Sequence, residues 1–274
     1  MKHFTTSDDL SLAYQDEGEG LAVICLAGLT RSSTDFDYVA PHLKGVRLIR
    51  LDYRGRGKSE WSRHHSSYSI PVESRDVLEL MDHLELERAA ILGTSRGGLI
   101  AMMLSVIAPE RVLGVCLNDI GPELAPEGLR AIRGYIGRNP DFKTHAELAA
   151  AKPGLLPAFQ NVPESRWLEE AQRQAHETDE GLVITYDPQL RNAVLEAGAQ
   201  PTPNLWPMFD AMQGAPLALI RGANSDLLSE ETADMMSLRR PDMLRADVPG
   251  RGHIPFLDEP ESLDVIHGWL KELQ

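Results

Sequence analysis

The 274-residue sequence predicts an α/β protein with a mostly parallel central sheet, flanked by helices and interrupted by an inserted helical cap. Three observations carry this. Short β-rich apolar runs alternate with helix-like segments, the pattern of parallel strands joined by crossover helices. Several runs are apolar at every position, as strands buried on both faces require. Between residues 121 and 207 the strand texture thins, and proline-punctuated, charged, helical stretches take over.

Residues 10–15 read as an early strand. Leu21–Leu26 (LAVICL) is apolar throughout, and Val46–Leu51 (VRLIRL) alternates. Further short apolar runs lie at 89–92, 112–117 and 217–220, and Leu244–Val248 completes the series. Between them, residues 71–84 place Val72, Val77, Leu80, Met81 and Leu84 at helical spacing. Residues 99–107 are apolar nearly all round, a buried helix. Residues 230–238 and 261–273 are amphipathic, and Pro260 suits the start of the last helix. The expected division is a core of residues 1–121 and 205–274 with a cap (lid) of residues 122–204. An excursion of that length is usually functional.

Lys and Arg number 27 against 41 Asp and Glu, a formal charge of −14. Nucleic acids and anionic membranes both call for a basic face, so neither is an expected partner. Apolar runs such as 21–29 and 99–104 fall short of the roughly 20 residues of a spanning helix. The first ten residues, MKHFTTSDDL, have no apolar signal region, so the expected location is cytoplasmic. Cys25 and Cys116 form neither a disulfide framework nor a zinc spacing, and both sit in apolar runs as small hydrophobes.

The chemistry centres on Gly93-Thr94-Ser95-Arg96-Gly97. This G-x-S-x-G follows an apolar strand and opens an apolar helix, the context of a nucleophile elbow. Such a turn lifts the serine hydroxyl above the sheet, and the flanking glycines let strand and helix approach. It also frees the backbone N–H of Arg96 to meet an oxyanion. A serine needs a base. Of nine histidines, His253 is best placed, in the loop after the last strand. His83 and His267 fall in helices, His145 and His176 in the insertion, and His64 and His65 in a polar loop. The base needs a carboxylate partner. Asp226, in the loop after the preceding strand, gives the order Ser-Asp-His and is the expected acid. Asp119, at the end of the strand at 112–117, competes for the role. A second oxyanion donor is expected from the N–H of Leu29, with Gly28 allowing close approach. The GKS at Lys58 and Ser59 is no phosphate-binding loop, because Asp52 stands where that motif needs glycine.

Taken together, CLAGLTRSSTDF, LDYRGRGKS, GTSRGG, RGANSD and GRGHIPFLDEP, in this order, resemble the α/β-hydrolase fold superfamily, in particular its cap-bearing serine hydrolases. The resemblance runs nearly end to end. It implies a hydrolase without cofactor or metal, acting on a small-molecule ester or lactone. Ser95 would be nucleophile, His253 base, Asp226 acid, and Leu29 and Arg96 backbone donors. Amide or carbon–carbon hydrolysis by the same triad, or a non-catalytic receptor of the same fold, are the alternatives. Relatives with aspartate or cysteine nucleophiles are excluded by Ser95. Two departures stand out. Many relatives begin the oxyanion loop with His-Gly, where this chain has Ala27-Gly28 and so lacks a bracing histidine. Arg96 follows the nucleophile, either folded into a salt bridge or lining the pocket. A substrate carboxylate could be clamped by Arg31, Arg96 or a cap arginine among 130, 133, 138, 166 and 173. The sequence does not indicate an oligomeric state.

Overall fold

The computed structural model describes residues 1–201 and 203–274. The sheet is built from β1 (Lys2–Thr5), β2 (Ser11–Gly18), β3 (Leu21–Leu26), β4 (Val46–Leu51), β5 (Ala89–Thr94), β6 (Val112–Asn118), β9 (Leu217–Gly222) and β10 (Leu244–Val248), in the spatial order 1-2-4-3-5-6-9-10. From β4 to β10 every neighbouring pair is parallel, while β1 and β2 add an antiparallel edge. The C-terminal ends of β3, β5, β6, β9 and β10 therefore open onto one edge of the sheet.

The all-apolar strands serve two cores at once. Ile24 and Leu26, Ala89 and Ile91, Val115 and Leu117, and Leu217 and Leu219 face one side. There they pack on α1 (Ile70–His83), α2 (Arg96–Ile107) and α8 (Glu230–Arg239). The alternate residues Val23, Cys25, Ala90, Leu92, Cys116, Ala218 and Ile220 face the other side and meet α9 (Pro260–Glu272) through Ile266 and Trp269. Period-two alternation between two apolar layers leaves no polar position, hence LAVICL. Burial pushes both cysteine thiols far up, which suits inert core residues.

Between β6 and β9 the chain forms α3 (Pro126–Tyr135), α4 (His145–Leu155), α5 (Glu164–Gln174), the antiparallel hairpin β7–β8 (Ala175–Thr178 and Gly181–Ile184), α6 (Leu190–Ala197) and α7 (Trp206–Asp210). The sequence reads this stretch as a helical insertion; it holds helices, and the hairpin is a departure from that reading. Helix α5 stops at Gln174, and Gly181, with φ +131°, closes the turn between the two strands. The sequence also hid β1, because only Phe4 of its four residues is buried and an edge strand of that kind leaves no apolar run.

Within LDYRGRGKS, the Asp52 carboxylate accepts the backbone N–H groups of Ser33 at 2.7 Å and Lys58 at 2.9 Å. Gly57 has φ +55°, and a Cβ there would run into that carboxylate. The segment is an architectural turn whose centre holds an acid, the opposite of a phosphate cradle. Arg54 secures it through a buried bidentate pair with Asp76 of α1, at 2.6 and 2.7 Å. No helix among the described residues is long and apolar enough to cross a membrane.

Candidate active site

Ser95 stands between β5 and α2 with φ 51° and ψ −113°. A non-glycine residue held there costs on the order of 1–3 kcal/mol, which the surroundings must offset. They do so by close packing. A Cβ on Gly93 would lie 2.6 Å from the Gly97 carbonyl oxygen, and one on Gly97 would collide with the Leu26 carbonyl. The Ser95 N–H donates to the Asn118 carbonyl at 2.9 Å, tying the turn to the end of β6. Strand, turn and helix thus approach to a distance that only glycine permits on either side of the serine.

His253 reaches this serine from the loop after β10. Its Nε2 lies 2.9 Å from Ser95 Oγ. The loop is organised by Glu259, whose carboxylate accepts from the N–H groups of Phe256 and Leu257, from Ser262 Oγ and from Arg251 Nε. From the insertion, Ala158 and Phe159 press on Gly252, where a Cβ would meet them at 2.7 and 3.0 Å.

The carboxylate beside His253 is Asp119, not Asp226. Asp119 Oδ2 lies 2.7 Å from His253 Nδ1 and accepts from Ser225 Oγ at 2.6 Å, while Oδ1 accepts from the Gly222 N–H at 2.7 Å. The side chain is fully buried, and the backbone takes φ +54° one residue beyond β6. Asp226 is exposed, and among the described residues its carboxylate has no hydrogen-bond partner. The reason is local. After β9 the chain turns at once, with the Ser225 N–H bonded to the Gly222 carbonyl and Ser225 Oγ accepting from Leu227 and Leu228. That turn aims Ser225 at Asp119 and sends Asp226 outward. The loop expected to supply the acid instead supplies Ser225, which with the Gly222 N–H at the end of β9 orients Asp119.

The loop after β3 lies against the elbow, since a Cβ on Gly28 would sit 3.9 Å from Ser95 Cβ. Among the described residues, the backbone N–H groups of Leu29 and Arg96 donate to no protein acceptor. The Arg96 side chain turns away into a salt bridge, with Nε 2.5 Å from Glu73 and Nη2 3.0 Å from the Tyr68 carbonyl. The other candidate clamps near the loops are engaged as well. Arg31 holds Asp35 and Glu170, Arg166 holds Asp258 at 2.6 Å, and Arg173 reaches Asp37 and the Thr34 carbonyl. Of the remaining candidates between β6 and β9, Arg130, Arg133 and Arg138 are exposed.

A cation the sequence did not single out is Lys152 on α4. It is buried, its Nζ donates to Gln174 Oε1 at 2.8 Å, and it lies over the Trp167 ring. Desolvation, with Arg31 adding and Glu170 opposing, pulls its pKa down to about 8. A lysine inside an apolar-looking helix (HAELAAAKPGL) gives no warning of this in the sequence. Among the described residues no group of three or more His, Cys, Asp or Glu side chains could hold a metal ion.

A strained serine at a strand–helix turn, bonded to a histidine that is bonded in turn to a buried aspartate, on the C-terminal edge of this sheet, defines a hydrolase of the α/β type. Residues 22–260 match the alpha/beta hydrolase fold family, and the chain belongs to it. It is similar to the 3-hydroxybutyrate-oligomer hydrolase of Cupriavidus necator, 35% identical over 266 residues, covering 93% of this chain and 90% of the relative. It is also similar to the 2-(acetamidomethylene)succinate hydrolase of Mesorhizobium japonicum, 24% identical over 92% of this chain and 88% of the relative. Among solved structures, an alpha/beta hydrolase from Novosphingobium aromaticivorans superposes with a TM-score of 0.91 at 36% identity, covering 98% of this chain and 97% of that one.

Proposed function

We propose that the protein is a serine hydrolase that cleaves a small-molecule carboxylic ester or lactone through an acyl-enzyme. The observation that carries this is the continuous hydrogen-bond line Ser95 Oγ–His253 Nε2 and His253 Nδ1–Asp119 Oδ2. His253 takes the Ser95 proton as Oγ attacks the carbonyl carbon. The oxyanion is received by the N–H groups of Leu29 and Arg96, each worth about 3–4 kcal/mol when aligned. His253 passes its proton to the leaving oxygen, then deprotonates a water that releases the acid. Asp119 keeps the imidazole in the tautomer with its proton on Nδ1 and stabilises the cation formed at each step. Asp226 takes no part.

Residues 122–204 act as the cap. Contacts to the loops of the sheet edge support this: Ala158 and Phe159 on Gly252, the Asn224 amide on the Ala158 carbonyl, and Arg31 on Glu170. A roof in this position excludes water and limits substrate size. The relative named for 3-hydroxybutyrate oligomers, whose units are joined by esters, favours ester over amide or carbon–carbon chemistry.

The test is hydrolysis of a panel holding p-nitrophenyl esters, the 3-hydroxybutyrate dimer, a lactone and an amide, by wild type and Ser95→Ala. We expect turnover of esters or lactone above amide, and its loss in the variant. Ester turnover that survives Ser95→Ala, or a folded wild type inert to every ester and lactone, would overturn the proposal.

A further inference from the structure

The oxyanion loop of this chain lacks a bracing histidine, yet it is held from the opposite side. The Ala27 carbonyl accepts from the Tyr53 hydroxyl at 3.2 Å, and the Leu29 carbonyl accepts from Arg56 Nε at 2.8 Å. Arg56 is completely buried, and its Nη1 donates to Glu73 of α1 at 2.7 Å and to the Arg54 carbonyl at 2.7 Å. The other oxygen of Glu73 accepts from Arg96 Nε at 2.5 Å. One buried carboxylate thus links the residue after the nucleophile to the arginine that grips Leu29. The two residues joined this way are those whose backbone N–H groups form the proposed oxyanion hole.

We propose that Arg56 and Glu73 are positioning residues that set the separation and direction of the two oxyanion donors. This rests on the assignment of Leu29 and Arg96 as donors. The geometry explains why so polar a group lies inside the core. The Leu29 N–H lies in the Gly28–Leu29 peptide, whose carbonyl accepts from the Arg31 N–H at 3.1 Å, and the held carbonyls of Ala27 and Leu29 fix the peptides on either side of it. Fixing the Arg96 side chain holds the first turn of α2 beneath the serine. Donors aligned before substrate arrives need no reorganisation in the transition state, which is where oxyanion holes gain their effect. Stability alone does not account for the trio. Two guanidiniums share one carboxylate, and apolar side chains of similar volume are often as stabilising as a buried ion cluster. Burial, followed by Glu73 in opposition and Arg96 in support, leaves the Arg56 pKa below its ordinary value, so the charge is kept there at a cost.

Two variants test this. Arg56→Met leaves Glu73 and Arg96 as a one-to-one pair and frees the Leu29 carbonyl. Arg56→Lys retains a cation for Glu73 but has no Nε to reach that carbonyl, and it decides the matter if the methionine variant does not fold. Measured on p-nitrophenyl esters, both are expected to lose tenfold or more in kcat, with KM within about twofold, since a donor lost outright costs about 10²–10³. The acid limb of the pH profile, which reports His253, should stay in place. Wild-type kcat in a folded variant, a loss confined to KM, or a lower Tm with unchanged kcat would overturn the proposal. Wild type that takes up a fluorophosphonate on Ser95 beside indifferent variants removes this inference alone. Wild type inert to probe and esters removes the hydrolase reading and this inference with it.

Discussion

Asp119→Asn separates the two candidate acids. The aspartate sits 2.7 Å from His253 Nδ1 with no exposed side-chain surface, so its charge is unscreened by solvent where the imidazolium develops. The amide removes that charge-assisted bond, worth about 1.5–3 kcal/mol. It also places an N–H₂ or a neutral oxygen against Nδ1. If the N–H₂ faces the ring, the histidine moves its proton to Nε2, where it points at Ser95 and cannot accept the serine proton. Charge loss and tautomer inversion together come to about 4–5 kcal/mol, a fall in kcat of about 10³–10⁴. The fold should survive, because the substitution is isosteric and the amide oxygen can still accept the Gly222 N–H. Asp226→Asn changes an exposed side chain and should leave kcat within about twofold. The assay is steady-state ester hydrolysis with circular dichroism to confirm folding. A loss of about 10² or more in Asp226→Asn, beside near-wild-type Asp119→Asn, would make Asp226 the acid instead.

Two further outcomes follow from the same structure. Lys152 has a folded pKa of about 8, below its ordinary 10.5, so the folded state disfavours its charge and stability rises with pH between those values. Lys152→Met should therefore stabilise by about 1–3 kcal/mol at pH 7, a gain that shrinks from pH 8 towards 10.5; denaturant titrations across that range check it, and destabilisation at pH 7 would contradict it. Because His253 must be neutral to accept the serine proton, kcat/KM should fall on the acid side of its profile, and a rate flat from roughly pH 5 to 8 would exclude a histidine base.

The sequence announced the fold wherever burial was two-sided. LAVICL and VRLIRL are strands with the bounds their apolar pattern implies: every residue of the first serves one of two cores, and in the second Val46, Leu48, Ile49 and Leu51 do, while Arg47 and Arg50 pair with acids. β1 and the β7–β8 hairpin went unseen: β1 and β7 each bury one residue of four and leave no run to detect, and the four-residue GLVI of β8 lies inside a region read as helical. At the site, Ser95 and His253 were legible from their loops, and the structure brings them together. Which aspartate meets His253 was not, because two aspartates close parallel strands on one edge and the sequence cannot say which way each turn aims its side chain. Ser225, unremarkable in the sequence, settles the local geometry by turning inward to Asp119. Arg96 likewise could have faced the pocket; Glu73, which ties it back, lies 23 residues away on α1. Such pairings between distant elements depend on tertiary packing, to which local pattern is blind.

Whether Ser95 is an activated nucleophile is read most simply from intact mass after incubation with a fluorophosphonate. A single adduct is expected on wild type, none on Ser95→Ala, and much slower labelling of Asp119→Asn than of Asp226→Asn. A folded wild type that takes up neither this probe nor the acyl group of a short ester such as p-nitrophenyl acetate would contradict an activated Ser95.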